Sequence, residues 1–109
     1  MEGKVKNTKG KATVRESTIE AYLRQRTKAL GGRADKWVSP GNVGVPDRIV
    51  IMPGGVIGFV ELKAPGRKST PMQRLQQERL RALGCRVYAD VDSREKVDAL
   101  LAELQGGAA

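Results

Sequence analysis

The sequence predicts an α/β fold, a small central mixed sheet flanked by helices in the order α-β-β-β-α-β-α. Three observations predict it. Two β-rich runs, 47–52 and 56–63, are joined by Pro53-Gly54-Gly55, a hairpin signal. Apolar residues recur at helical spacing near both ends of the chain, over 15–30 and 94–104. A further segment opens on Thr70-Pro71-Met72-Gln73, which combines an N-cap, a proline at the first helical position and a capping-box glutamine. With 109 residues the chain has room for one such domain, expected over 14–105.

The elements follow in order. Residues 1–13 carry Lys4, Lys6, Lys9 and Lys11 without a hydrophobic period, and read as a flexible basic arm. Such an arm suits phosphate contact or simple solubilisation. In 15–30, Ile19, Tyr22, Leu23 and Leu30 mark a helix face, and Gly31-Gly32 stops it. Residues 34–38 are a short strand, followed by a loop dense in turn residues over 39–44. Both faces of the two hairpin strands are apolar, which predicts a sheet covered on both sides. The helix opened by Thr70 ends at Gly84, and 86–91 is the fourth strand. Ser93 caps the last helix, with Val97, Leu100, Leu101 and Leu104 on one face. The tail over 106–109 is expected to fray.

Composition narrows the function. Lys plus Arg number 20 against 12 acids, a formal charge of +8, which favours a polyanionic partner such as nucleic acid. The chain has no histidine, so histidine general bases, HNH-type nuclease sites and histidine-rich zinc sites are excluded. Its single cysteine, Cys85, forms neither an internal disulfide nor a zinc knuckle. Aromatics are only 4% of the residues, too few for a base-stacking platform. No apolar stretch approaches the ~20 residues of a membrane span, and the basic N-terminus lacks the apolar core of a secretory signal. The host cytosol is the expected compartment.

The hairpin brings chemistry together. If Pro53, Gly54 and Gly55 form the turn, Met52 faces Val56 and Asp47 lies across from Glu61. Lys63, two residues on, projects to the same face. A slip of one residue would scatter the three. Two adjacent carboxylates repel, and one is driven to protonate unless a cation joins them. An all-oxygen donor set suits Mg²⁺ or Mn²⁺. Such an ion lowers the pKa of a water and offsets charge in phosphoryl transfer, and an ammonium group can orient that water. Each short motif is common by itself, and Lys63 with the two acids could equally form a surface salt bridge. The combination in one basic chain is the stronger signal.

Gly44-Val45-Pro46-Asp47-Arg48, Val60-Glu61-Leu62-Lys63 and Thr70-Pro71-Met72-Gln73 together resemble the PD-(D/E)xK nuclease superfamily. The closer likeness is to the virus-type replication-repair nuclease (VRR-NUC) domains in their stand-alone phage or bacterial form, over roughly residues 14–104. The resemblance implies a restriction-endonuclease-like αβββαβ core. It implies that Asp47 and Glu61 hold the metal, that the Leu62 carbonyl completes its shell, and that Lys63 assists the water. It also implies a glutamate from the first helix. Glu16 and Glu20 both qualify, one turn apart, with Glu16 nearer the buried face by about 40° of arc. Gln73 matches a family glutamine at the start of the second core helix, although its capping role needs no catalysis. Arg48, Arg67, Lys68 and Arg74 are candidate contacts to the DNA backbone. The implied activity is structure-selective DNA cleavage, with a symmetric homodimer resolving four-way (Holliday) junctions. Processing of flaps, nicks or ends, and a non-catalytic DNA-binding module, are the alternatives.

Overall fold

The computed structural model describes residues 15–106. The basic arm expected over 1–13, and 107–109 of the tail, lie outside them. The elements are α1 (Glu16–Ala29), β1 (Arg33–Lys36), β2 (Arg48–Met52), β3 (Val56–Leu62), α2 (Pro71–Ala82), β4 (Val87–Val91) and α3 (Arg94–Gly106). This is the α-β-β-β-α-β-α order that the sequence predicts. Gly106, expected to fray, closes α3.

Helix boundaries follow from local chemistry. In α1, Ile19, Leu23 and Thr27 recur every fourth residue and are buried. The Thr27 hydroxyl is satisfied inside the helix by donating to the Leu23 carbonyl at 2.6 Å. Gly31 adopts a left-handed φ of +88°. The Gly31 and Gly32 amides then donate back to Lys28 and Thr27, the Schellman arrangement that a glycine permits. At the end of α2, Gly84 and Cys85 donate in the same pattern to Arg81 and Leu80. At its start, Thr70 and Gln73 form the complete capping box. Ser93 caps α3 by accepting from the Lys96 amide at 3.1 Å.

The four strands lie in the order β1-β2-β3-β4. β2 is antiparallel to β1 and to β3, and β3 is parallel to β4. The hairpin register is the predicted one: Met52 faces Val56, Ile51 faces Ile57 and Ile49 faces Phe59. β1 starts one residue earlier than expected and ends at Lys36, with Trp37 adding one further bond to the Asp47 carbonyl at 2.9 Å. Gly32 lets it start there, because a Cβ at this position would lie 2.4 Å from the Ile51 oxygen.

One face of the sheet presents Val50, Met52, Val60 and Leu62 to Ile19 and Leu23 of α1 and to Val97, Leu100, Leu101 and Leu104 of α3. Each fully buried aliphatic side chain there contributes roughly 1.5–3 kcal/mol. The opposite face corrects the expectation of cover on both sides. Ile49, Ile51 and Phe59 are only half-buried, and Ile57 is 46% exposed. The reason is the placement of α2. This helix packs on β4 at one end of the strand order and buries only Gln77. Trp37 covers part of the gap by packing on Phe59, with ring centroids 4.8 Å apart. Among the described residues, no helix is long and apolar enough to cross a membrane.

Candidate active site

The open end of the hairpin gathers the ionisable groups. Pro46 is buried and leads into Asp47, just before β2. The loop ahead of it is fastened to α2, since Gln76 Nε2 donates to the Val43 carbonyl at 3.1 Å. Gly44 permits that approach: its φ is +92°, and a Cβ would lie 2.9 Å from the Met72 oxygen. Asp47 Oδ1 accepts from the Leu62 amide at 3.3 Å, so the side chain reaches across to the end of β3.

The β3–β4 pairing is irregular here. Val60 pairs with Tyr88 but Leu62 with Val91, which leaves an extra residue on β4. Glu61 lies in this irregular stretch and is only 4% exposed. Its Oε2 accepts from Gln73 Nε2 at 3.2 Å and lies 3.9 Å from Lys63 Nζ. Its Oε1 is buried with no hydrogen-bond partner. Lys63 Nζ donates to Gln73 Oε1 at 2.8 Å. The same oxygen accepts from the Thr70 amide at 2.8 Å. The capping and active-site positions of Gln73 are therefore not alternatives. One side chain closes the helix start and bridges Lys63 to Glu61.

Charge accumulates with little water to screen it. Burial pushes the Glu61 carboxyl up to about 8, and the neighbouring Asp47 charge adds to the rise while Lys63 opposes it. Burial likewise raises Asp47 to about 6, against the hydrogen bond from Leu62 and with a further push from Glu16.

The two acids of α1 separate. Glu16 is exposed in the first turn of α1, and its charge adds to the rise at both Asp47 and Glu61. Glu20 instead forms an ion pair with Arg48. Arg48 is only 9% exposed and also donates to the Ala34 carbonyl at 3.3 Å. This corrects its reading as a surface contact to DNA. Side chains alternate along a strand, so Arg48 points with Val50 and Met52 toward the helices, away from the Asp47 side. Arg67 and Lys68 are exposed on the loop after Lys63. Arg74 donates through Nη1 to the Ser69 carbonyl and braces that loop.

Sequence reasoning missed a polar network beside the cluster. Asp90 holds a left-handed φ of +54° in the irregular stretch of β4. Its Oδ1 accepts from the Ser69 amide at 2.7 Å and the Ser69 hydroxyl at 2.6 Å. Buried Gln77 donates to the same hydroxyl at 2.9 Å. The network anchors the residue immediately before the Thr70 cap. An aspartate inside Val87-Tyr88-Ala89-Asp90-Val91 was the available signal, because aspartate is depleted in strands.

Among the described residues, no three His, Cys, Asp or Glu side chains group closely enough to hold a metal ion by themselves. The pair Asp47 and Glu61 nevertheless fits a hard divalent cation completed by backbone oxygen and water. The donors are all oxygen, one carboxylate oxygen is buried and unpartnered, and the Asp47 charge opposes ionisation of Glu61.

Comparison with known proteins finds similarity to a phage protein and to a solved structure. A protein that carries the name nuclease p44, from Acyrthosiphon pisum secondary endosymbiont phage 1, is 50% identical over 82 residues, covering 75% of this chain and 87% of that protein. A solved structure described as a VRR_NUC domain is 40% identical with a TM-score of 0.73, covering 80% of this chain and 94% of the other. No family model matches the chain.

Proposed function

Because this chain belongs to the VRR-NUC family of nuclease domains, we propose that it is a divalent-metal-dependent DNA endonuclease that selects its substrate by structure. The observation that carries the reading is buried Glu61, one oxygen of which has no partner, beside the ammonium of Lys63 and near half-buried Asp47. Asp47 and Glu61 would hold Mg²⁺ or Mn²⁺, with the Leu62 carbonyl as a further donor. Such an ion, when bound, would lower the pKa of a water and offset charge on the phosphate.

The chain's own groups do the rest. Lys63 offers its ammonium to the attacking water or to a non-bridging phosphate oxygen, where negative charge grows as the water oxygen adds to phosphorus. Gln73 keeps that ammonium in place through the 2.8 Å contact and ties Glu61 to the same point. Glu16, exposed in the first turn of α1, adds negative charge that favours cation entry. Arg67, Lys68 and Arg74 border the loop after Lys63 and hold the DNA backbone without reading bases.

The finer form of the proposal is cleavage of four-way junctions by a homodimer. A junction offers two equivalent strands, and a two-fold assembly offers two sites. The half-open sheet face with Ile57, Phe59 and Trp37 gives a second copy an apolar surface to cover. The test is cleavage of four-way junction, flap and duplex substrates with Mg²⁺ or Mn²⁺, alongside light-scattering mass measurement. Junction cutting by a dimer, lost in Asp47→Ala and Lys63→Ala, is expected. Undiminished cutting in both variants removes the catalytic assignment. A monomer that prefers flaps or ends removes the junction reading.

A further inference from the structure

The strongest unassigned feature lies beside α1, away from the acid cluster. A groove of about 520 Å³ runs between α1 and β1, lined by Arg24, Lys28, Gly32, Arg33 and Asp35 among others. Its charge is one-sided. Asp35 is its acid, and Arg33 already pairs with it at 2.8 Å. Arg24 and Lys28 are exposed, and their side chains have no hydrogen bond or ion pair among the described residues. They stand one helical turn apart on the same face of α1. Lys36, also exposed, extends the basic character along β1. Unpaired cations held at fixed spacing on rigid elements make an anion track, and a repeating anion suits it better than a single one.

The groove is joined to the catalytic end of the molecule. Glu16 opens α1 and acts on Asp47 and Glu61. Lys36 pairs in register with Arg48, and the next amide, that of Trp37, donates to the Asp47 carbonyl. Along α1, Arg24 lies about 12 Å and Lys28 about 18 Å from Glu16, at a rise of about 1.5 Å per residue. DNA advances about 3.4 Å per base pair, so these distances correspond to roughly four to five base pairs.

We propose that the α1–β1 groove is a second DNA-backbone site, in which Arg24 and Lys28 hold phosphates about four to five base pairs from the point of cleavage. It rests on the nuclease reading and gives that site a reach beyond the reacting phosphate. The contact is to backbone alone, so it positions an arm of the substrate and carries no sequence preference.

The experiment measures equilibrium DNA binding in EDTA across a series of salt concentrations, and single-turnover cleavage with Mg²⁺ separately. Arg24→Gln/Lys28→Gln is expected to lower the slope of log K against log salt by about 2, and Arg24→Gln alone by about 1. Arg79→Gln, the same charge loss at an exposed position on α2, is expected to leave the slope at the wild-type value. The double variant should weaken binding about tenfold near 0.1 M salt. Its cleavage rate at saturating DNA should stay within about twofold of wild type, because neither residue touches the reacting phosphate. On substrates trimmed to about three base pairs on one side of the cut, the difference between double variant and wild type should vanish.

An unchanged salt slope overturns the proposal. So does a loss that persists in full on trimmed substrates, or one that Arg79→Gln reproduces. Loss of binding to phosphatidylserine vesicles with DNA binding intact would assign the groove to membranes and overturn it as well. The two readings fail separately. A chain that cuts no DNA but shows the slope change keeps the groove and loses the nuclease, and normal cleavage with an unchanged slope does the reverse.

Discussion

The two ends of the β2–β3 hairpin are made from the same strands in the same register, yet they are stabilised in opposite ways. At the turn end, Pro53, Gly54 and Gly55 are exposed, with φ of +90° at Gly54 and +78° at Gly55. Nothing but local backbone preference is needed there. At the open end, Asp47, Glu61 and Lys63 are drawn out of water and held by Leu62, Gln73 and the cap of α2. The turn end lowers the energy of the fold. The open end raises it in the metal-free protein, because two carboxyls lose hydration and the charge of Asp47 acts on Glu61. Such a local conflict marks a functional site, and the rest of the fold supplies the free energy that maintains it.

After removal of Asp47 or Lys63 itself, the largest expected effect comes from splitting the two roles of Gln73. Gln73→Glu keeps a capping-box residue at the third helical position, so the melting temperature should stay within a few degrees of wild type. It also removes the donor to Glu61 and sets a like charge beside it, so cleavage should fall about 100-fold in a single-turnover assay. An active variant would show that the bridge to Lys63 and Glu61 is dispensable. A smaller loss, about tenfold in kcat with KM unchanged, is expected for Asp90→Gly. Glycine accepts the φ of +54° without strain but deletes the acceptor for Ser69. Asp90→Asn retains an acceptor and tolerates that φ, and should recover most of the activity. Equal kinetics in the two variants would detach Asp90 from the site.

Stability against pH separates the two ends further. Glu61 is raised from 4.5 to about 8, and Asp47 from 3.8 to about 6. The folded chain therefore binds more protons than the unfolded chain between those values. Without metal, stability should fall as pH rises from about 4 to about 8, the reverse of a salt-bridged carboxylate. Urea unfolding in EDTA at pH 5 and pH 8.5 reads this directly, and Glu61→Gln should flatten most of the slope. The smallest effect belongs to the turn end. Gly55→Ala should cost about 1 kcal/mol, since its φ of +78° strains any L side chain, and should leave cleavage at the wild-type rate.

Much of this contrast was legible in the sequence, for reasons that are themselves local. The turn residues, the glycine stops after α1 and α2, and the Thr70 and Ser93 caps act over a few residues, so short windows carry them. The hairpin register followed from the turn, and with it the meeting of Asp47 with the end of β3. Arg48 shows a misreading that strand periodicity already forbade, since a residue next to Asp47 on a strand must face the other way. Its partner Glu20 follows from that reversal. The half-open sheet face was less accessible. Apolar residues on both faces of β2 and β3 do not say where α2 lies, and tertiary packing placed it on β4. The Asp90–Ser69–Gln77 network was least legible, because it depends on an extra residue in a parallel pairing and on a loop 21 residues away in sequence.

The most direct test of the central claim is titration of the metal-free chain with Mn²⁺, followed by electron paramagnetic resonance at pH 8. The account predicts a bound ion that is lost in both Asp47→Asn and Glu61→Gln, and an affinity that weakens from pH 8 to pH 6 as protons compete for the same oxygens. Mn²⁺ binding of undiminished affinity in both variants would contradict it.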